Sequence, residues 1–386
     1  MRLIYNAASC YIWAQAGPRE QLARNSSIGV LIVLLAWPDT SLLTCLFQGF
    51  PAVGYVHPCG VWPPQAKSWQ ELGDALSQSS SEQQAAIDAL KPGPDDETIY
   101  EAGNKDEVAG YCTPAMTLAQ LKAATSRYRL IRRFVITQAT GKKRVIDDAA
   151  SSGQSELTSD ANKLRFTTAV QPCYHLKALM KACTDQQRPI SSYGDHLTTA
   201  GEDLPDAYRK MPLQPEHSWA CIVAYWDCQA NALRFQRYHS LLFGLPAAFN
   251  RLPFLLQAAC RRLLATLATM YFDDLTVQDW ARAAAGSQQA IEDLADAMGY
   301  PFAEAKRQRP STQGGFLGLI HDLAACRTAA EIRMWIRDRL ETKVRGYITD
   351  SLTTAKLAPG AAAKLYGGFT FLDQGMFGKV SRAGLS

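Results

Sequence analysis

The sequence predicts an α+β fold, and three observations carry that prediction. Runs rich in β-branched and aromatic residues flank turn signals at Gly141 and at residues 227–231, as hairpins require. An apolar stripe at three- and four-residue spacing (Phe249, Leu252, Leu256, Cys260, Leu263, Leu267, Met270) reads as a helix with one core face. Two acidic clusters, Asp203-Leu-Pro-Asp206 and Tyr271-Phe272-Asp273-Asp274, stand far apart in the chain, the first at an expected strand end.

Bulk composition narrows the class. With 386 residues the chain is long enough for two or three domains, and its 47% apolar content excludes global disorder. The net charge of +4 is mild, but eight basic residues and no acidic one fall between Lys122 and Ile146. Such a stripe suits a phosphate backbone or a triphosphate, or else a solvated face. The ten cysteines include no Cys-x-x-Cys pair, which fits buried thiols in a reducing compartment. His57/Cys59 and Cys173/His175 lack finger spacing, so structural placement is expected for both. The apolar stretch at residues 28–37 is interrupted by Pro38 at half the roughly twenty residues a bilayer needs. It reads as a buried strand or helix, and the expectation is no membrane contact and an intracellular protein of cytoplasm, nucleus or both.

In chain order, residues 1–65 alternate apolar segments with Gly and Pro, and residues 66–110 read as a short helix and a polar linker, so 1–110 forms an N-terminal extension. Thr117 is placed to cap a helix with Leu118, Leu121 and Ala124 on one face. Residues 132–137 and 144–146 form a basic hairpin around Gly141, followed by a Ser/Gly loop and a helix over 164–182 with Leu176, Leu179 and Met180 inward. Together, 111–200 makes the second region. The third, 201–322, holds both acidic clusters, a hairpin over 219–238 and the stretch Phe243-Gly244-Leu245-Pro246. In that hairpin Arg234 and Arg237 either track phosphates or stay solvated. The stripe described above follows, with Arg251, Arg261 and Arg262 off its apolar face and outward. Residues 323–386 form a helical tail, with an amphipathic basic helix over 329–347 (Ile332, Trp335, Ile336, Leu340).

The order of these motifs (acidic strand end, Phe-Gly-Leu-Pro, apolar helix, Tyr-Phe-Asp-Asp, then Phe316-Leu317-Gly318) resembles that of retroelement reverse transcriptases. The resemblance is clearest from Asp203 to Asp322 and continues more weakly from about Arg132 to the C-terminus. It looks nearest to the tyrosine-recombinase retroelement branch and its relatives in protist genomes. What it implies is a right-hand polymerase: fingers over 111–200, an antiparallel-sheet palm over 201–322, and a thumb beyond 323 that includes 361–369 and 377–382. The implied activity is RNA-directed DNA synthesis on an RNA or DNA template with a primer, using deoxynucleoside triphosphates. No RNase H, integrase or protease motif is visible, so the chain reads as a polymerase module or a piece of a longer retroelement product.

By the same resemblance Asp203, Asp273 and Asp274 hold two Mg²⁺ ions, for which Mn²⁺ is a possible substitute. Clustered carboxylates repel one another, hard cations relieve that repulsion, and all-oxygen donors suit magnesium. Arg144 is expected on the triphosphate with Lys142 or Lys143 assisting, while Asp206 lies beside the nucleotide. Tyr208 either excludes a ribose 2′-hydroxyl or is a core aromatic. Phe243 and Gly244 form the loop where backbone approaches nucleotide and template, glycine lacking a Cβ to obstruct them. Lys306 either protonates pyrophosphate or sits in a solvated basic loop, and Phe316, Leu317 and Gly318 grip the primer end.

One departure stands out. The strand before Asp203 reads Thr198-Thr199-Ala200-Gly201-Glu202, where relatives are apolar, and Glu202 raises local repulsion unless it faces solvent. A polymerase fold that has decayed and binds nucleic acid without synthesis is the alternative. A template-dependent RNA polymerase shares the palm, but Tyr208 argues against it.

Overall fold

The computed structural model describes residues 18–66, 79–138, 141–245 and 251–375. In chain order the strands are β1 (Gly54–Val56), β2 (Leu130–Thr137), β3 (Lys143–Asp147), β4 (Thr158–Asp160), β5 (Leu197–Asp203), β6 (Ile222–Asp227) and β7 (Ala232–Arg237). They continue as β8 (Leu267–Tyr271), β9 (Asp274–Trp280), β10 (Gln308–Ser311), β11 (Gln313–Phe316), β12 (Leu319–Asp322) and β13 (Arg333–Ile336). The mixture of helix and sheet is the predicted α+β class. The chain divides into two compact units, Met1–Arg165 with Asp206–Leu252, and Phe166–Pro205 with Pro253–Ser386.

The first unit is built on the sheet β3-β2-β6-β7. β2 pairs antiparallel with β3 and parallel with β6, and β6 pairs antiparallel with β7. Both hairpins are those expected around Gly141 and residues 227–231. Gly141 takes φ +78, which a side chain would resist, so the turn favours glycine there. Thr117 caps the helix Leu118–Ala124 in a capping box with Gln120, as its position predicts. Leu121 then buries against Tyr128, Leu130, Ile222 and Phe235.

Two sequence expectations need correction here. The polar stretch up to residue 110 holds a second helix, Asp96–Val108, where a linker was expected. Its first turn carries Asp96 and Glu97, which favour a helix N-terminus, and its Ile99 and Gly103 are buried. Arg251, expected outward, pairs with the fully buried carboxylate of Asp39 at 3.0 Å. The apolar N-terminal stretch is the end of a helix, Pro18–Leu34, that buries Ile28, Leu31 and, just beyond its end, Leu35.

The second unit centres on the antiparallel sheet β10-β5-β9-β8, with β5 and β9 in the middle. Leu197 of β5 packs with Leu176, Leu179 and Met180 of the helix Gln171–Asp185, which begins seven residues later than its expected start at Leu164. The predicted helix through Met270 is shorter: it runs over Leu252–Arg262, the chain turns at Ala265 with φ +55, and Leu267 and Met270 belong to β8. Thr266 explains the stop, because its hydroxyl donates to the Cys260 carbonyl at 3.0 Å.

A three-stranded sheet β11-β12-β13 follows. Trp335 and Ile336 are strand residues opposite Ile320 and Leu319, not the start of a helix at 329. A 3.6-residue stripe and a strand edge share this spacing over so short a run, and cross-strand apolar pairing wins. The basic amphipathic helix starts at Asp338, and its Val344 packs against Leu365 of the helix Pro359–Gly375. Pro246, Phe249 and residues 377–382 lie outside the described residues.

Candidate active site

β5 and β9 run antiparallel with Asp203 directly opposite Asp274. Opposed residues in such a pair project from the same face, their Cβ atoms about 4.5–5.5 Å apart. Tyr271 opposes Asp274 across β8 and β9, which leaves Phe272 and Asp273 as a two-residue turn. Phe272 adopts φ +50, a left-handed conformation that costs a non-glycine residue about 1–3 kcal/mol and needs surrounding contacts to hold it. Those contacts exist: Phe166 packs on Phe272 and Tyr271, with ring centroids 4.8 and 6.0 Å away. The Leu204 N–H donates to the Asp273 carbonyl at 2.8 Å, pinning the chain that leaves β5 to the turn. The Ala303 N–H donates to the Asp203 carbonyl, also at 2.8 Å.

Charge in this corner is concentrated. Burial raises the Asp274 carboxyl to about 6, Asp273 and Asp203 push the same way, and Lys306 and Arg337 pull against them. Lys306 forms an ion pair with Asp203. A cleft of about 230 Å³ opens here, lined by Asp203, Asp274, Lys306, Gln308, Arg337 and the Phe316-Leu317-Gly318 turn. In that turn Leu317 and Gly318 both have positive φ, +46 and +81, and Phe316 opposes Leu319. This is the two-residue hairpin geometry in which both central residues are left-handed.

Glu202 resolves differently from its expectation. Alternation along β5 puts it on the sheet face opposite Asp203. Its side chain is fully buried, bonded by the Gln288 amide and 3.5 Å from the Arg307 guanidinium, which also pairs with Glu292 at 2.7 Å. It does not face solvent, although the residue contributes to the lining of the cleft. Burial raises its pKa, and the neighbouring Glu292 adds to the rise. The polar strand forms because its hydroxyls are satisfied internally: Thr199 bonds Thr276 at 3.2 Å, and the Gln278 amide donates to both.

The remaining candidates lie in the first unit. Lys142, Lys143 and Arg144 are exposed on the β2–β3 hairpin. Lys143 pairs with Asp95 at 2.8 Å, whereas Lys142 and Arg144 have no ion pair among the described residues. Asp206 is exposed with φ +51 in a turn over residues 205–210. Tyr208 is half-buried and meets Phe243 edge-on, centroids 5.4 Å apart. Gly244 takes φ +95, and a Cβ there would stand 3.2 Å from the Asp147 carbonyl oxygen, so this loop lies close against the hairpin base.

Arg337 and Gln308 escaped the sequence reading. Gln308 lies next to the basic loop of Lys306, and Arg337 falls within the basic helix expected over 329–347 but sits between a strand and a helix. Its guanidinium is the nearest group to the position a Cβ on Gly315 would take, 2.1 Å away. Only the fold brings it to the cleft.

The donor set is all carboxylate oxygen, which suits a hard divalent cation; burial raises Asp274, and repulsion from Asp273 and Asp203 adds to the rise. Among the described residues no group of three or more His, Cys, Asp or Glu side chains is placed to hold a metal ion. Magnesium is commonly held by one or two carboxylates together with substrate phosphates, so an open pair fits it. No helix of the described residues is long and apolar enough to cross a membrane.

Neither a protein-family model nor a curated protein matches the chain. Among solved structures, foamy viral protease-reverse transcriptase in complex with RNA/DNA hybrid is similar in fold, with a TM-score of 0.48 and 10% identity, covering 72% of this chain and 31% of that one. The same viral protein in complex with dsDNA aligns with a TM-score of 0.45 and 13% identity over 83% of this chain and 54% of that one. The chain thus spans between about a third and about half of the length of these structures.

Proposed function

We propose that this chain is an RNA-directed DNA polymerase of retroelement type, nearest the tyrosine-recombinase branch, extending a primer on an RNA or DNA template. The observation that carries the reading is the register opposing Asp203 to Asp274, with Asp273 in the adjoining turn. Asp203, Asp273 and Asp274 would hold the magnesium ions, which supply activation of the primer 3′-hydroxyl and charge neutralisation on the phosphates. Lys306 and Arg337 flank the carboxylates and are suited to phosphate oxygens, Lys306 as a point charge and proton donor, Arg337 as a bidentate fork. The Phe316–Gly318 turn lines the same cleft and suits the primer end. Lys142 and Arg144 suit the triphosphate.

Tyr208 is read as the sugar gate. Tyr208→Ala is expected to relax discrimination against ribonucleotides by about ten- to a hundredfold, the scale of a lost steric contact. Single-nucleotide incorporation of matched ribo- and deoxynucleotides measures it, and an unchanged ratio removes Tyr208 from that role.

The raised Asp274 carboxyl gives a pH prediction. An exposed aspartate titrates near 3.9, so the folded chain binds the extra proton between about 4 and about 6. This group's contribution to stability is therefore greatest below that window and falls as pH rises through it. A divalent cation must displace the proton below about 6. Magnesium is expected to raise the melting temperature clearly at pH 7.5 and little at pH 5, and equal shifts at both would contradict the assignment.

The Lys306–Asp203 ion pair favours one other reading, a polymerase fold that binds duplex without synthesis, because an ammonium on that carboxylate competes with a cation. Duplex binding with no metal-dependent turnover in a primer-extension assay would select it.

A further inference from the structure

One cavity in the first unit plays no part in the polymerase reading. It measures about 560 Å³, within the range of small-ligand sites, and is walled by Tyr55, Trp62 and Trp219. Arg127 lies over the Trp219 ring, 3.7 Å from its centroid. The guanidinium makes no ion pair or hydrogen bond among the described residues, and its Nε is buried without a partner. A stacked guanidinium with its edge unspent is a ready bidentate donor for an anion.

The other polar groups define what else the cavity takes. His217 accepts the Ala52 N–H at Nδ1, 3.0 Å away, which puts its own proton on Nε2 as a donor. Asp160 receives the Asn162 backbone and side-chain N–H groups at Oδ1, both 2.8 Å, and no bond is made to Oδ2 among the described residues, so it can accept from a ligand N–H. Arg251 also lines the cavity but is neutralised by Asp39, and Glu216 at the rim is exposed. Aromatic walls, an unpaired guanidinium and a carboxylate acceptor together match a planar ring that bears N–H donors and carries an anion.

We infer that this cavity binds a nucleotide, its base between the aromatic walls and its phosphate on Arg127. The nucleotide has two sources, a free nucleoside monophosphate or a residue of a single strand. Both would be titrated into the full chain without divalent cations: AMP, and a four-nucleotide single strand. Arg127→Met, which keeps the aliphatic stem on Trp219, is compared with Lys181→Met, an exposed position outside the cavity. The expected result is at least tenfold weaker binding for Arg127→Met and unchanged binding for Lys181→Met. Loss for AMP assigns the free nucleotide, and loss for the strand alone assigns the strand. If wild type binds neither probe, or Arg127→Met, shown folded by its circular dichroism, binds both as wild type does, the inference is overturned.

Discussion

An Asp203→Asn chain is expected to lose primer extension by about three orders of magnitude while folding as the wild type does. Asn keeps the size of the side chain and an acceptor oxygen but removes the charge. A cation in such a site contributes several kcal/mol of transition-state charge stabilisation, and each 1.36 kcal/mol is tenfold in rate. The strand is insensitive to the change because β5 is held elsewhere, by its full ladder to β9 and by the Thr199–Thr276–Gln278 network. Removing the Asp203 charge also removes one cause of the raised Asp274 carboxyl, so that group should titrate lower. Single-turnover incorporation at saturating magnesium measures the rate, and a loss smaller than tenfold would separate Asp203 from the chemistry.

The second large effect concerns stability. Asp147→Ala is expected to cost the first unit about 3–5 kcal/mol, the usual penalty for stranding a buried charge. Asp147 accepts from Arg133 at 2.8 Å and from Arg209 at 2.7 Å. Asp106 accepts from Arg133 at 2.9 Å and from the Tyr238 hydroxyl at 2.6 Å, and lies 3.3 Å from Arg209. Two guanidiniums and two carboxylates thus balance in a nearly dry cluster. Burial opposes ionisation of Asp147, but Arg209 and Arg133 hold its carboxyl below the usual range. With its pKa depressed, its contribution is present above about 3.9 and is lost as pH falls through the folded value. Arg209 follows Tyr208 in the chain, and Asp147 ends β3, so the cluster ties the tyrosine's turn to the hairpin base. Urea unfolding of the variant tests this, and a change under 1 kcal/mol would mean that water or rearrangement compensates. Arg133→Met combined with Asp147→Ala should lose less than the sum of the single changes, since the double variant buries less uncompensated charge.

Much of this was legible in the sequence because it is local. Thr117 ahead of Leu118, Leu121 and Ala124 announces a helix start, and the alternation around Gly141 announces a hairpin. The turn at Phe272-Asp273 is legible because an acidic pair between two apolar runs leaves few other places for the carboxylates. What the sequence hid is set by long-range pairing. Leu267 and Met270 continue the helical spacing of the preceding stripe, and only the ladder with β9 makes them strand residues. Trp335 and Ile336 fit a helix until β12 claims them. Glu202 looked like a liability because its neighbours Gln288, Glu292 and Arg307 are distant in the chain. Arg337 read only as one basic residue of an expected helix, with nothing local to place it at the cleft.

The most direct test of the account is primer extension by the purified chain on an RNA template with deoxynucleotides. Extension that needs magnesium and stops with chelator is the predicted result. A chain that binds the primer–template duplex yet adds no nucleotide with either magnesium or manganese would contradict it.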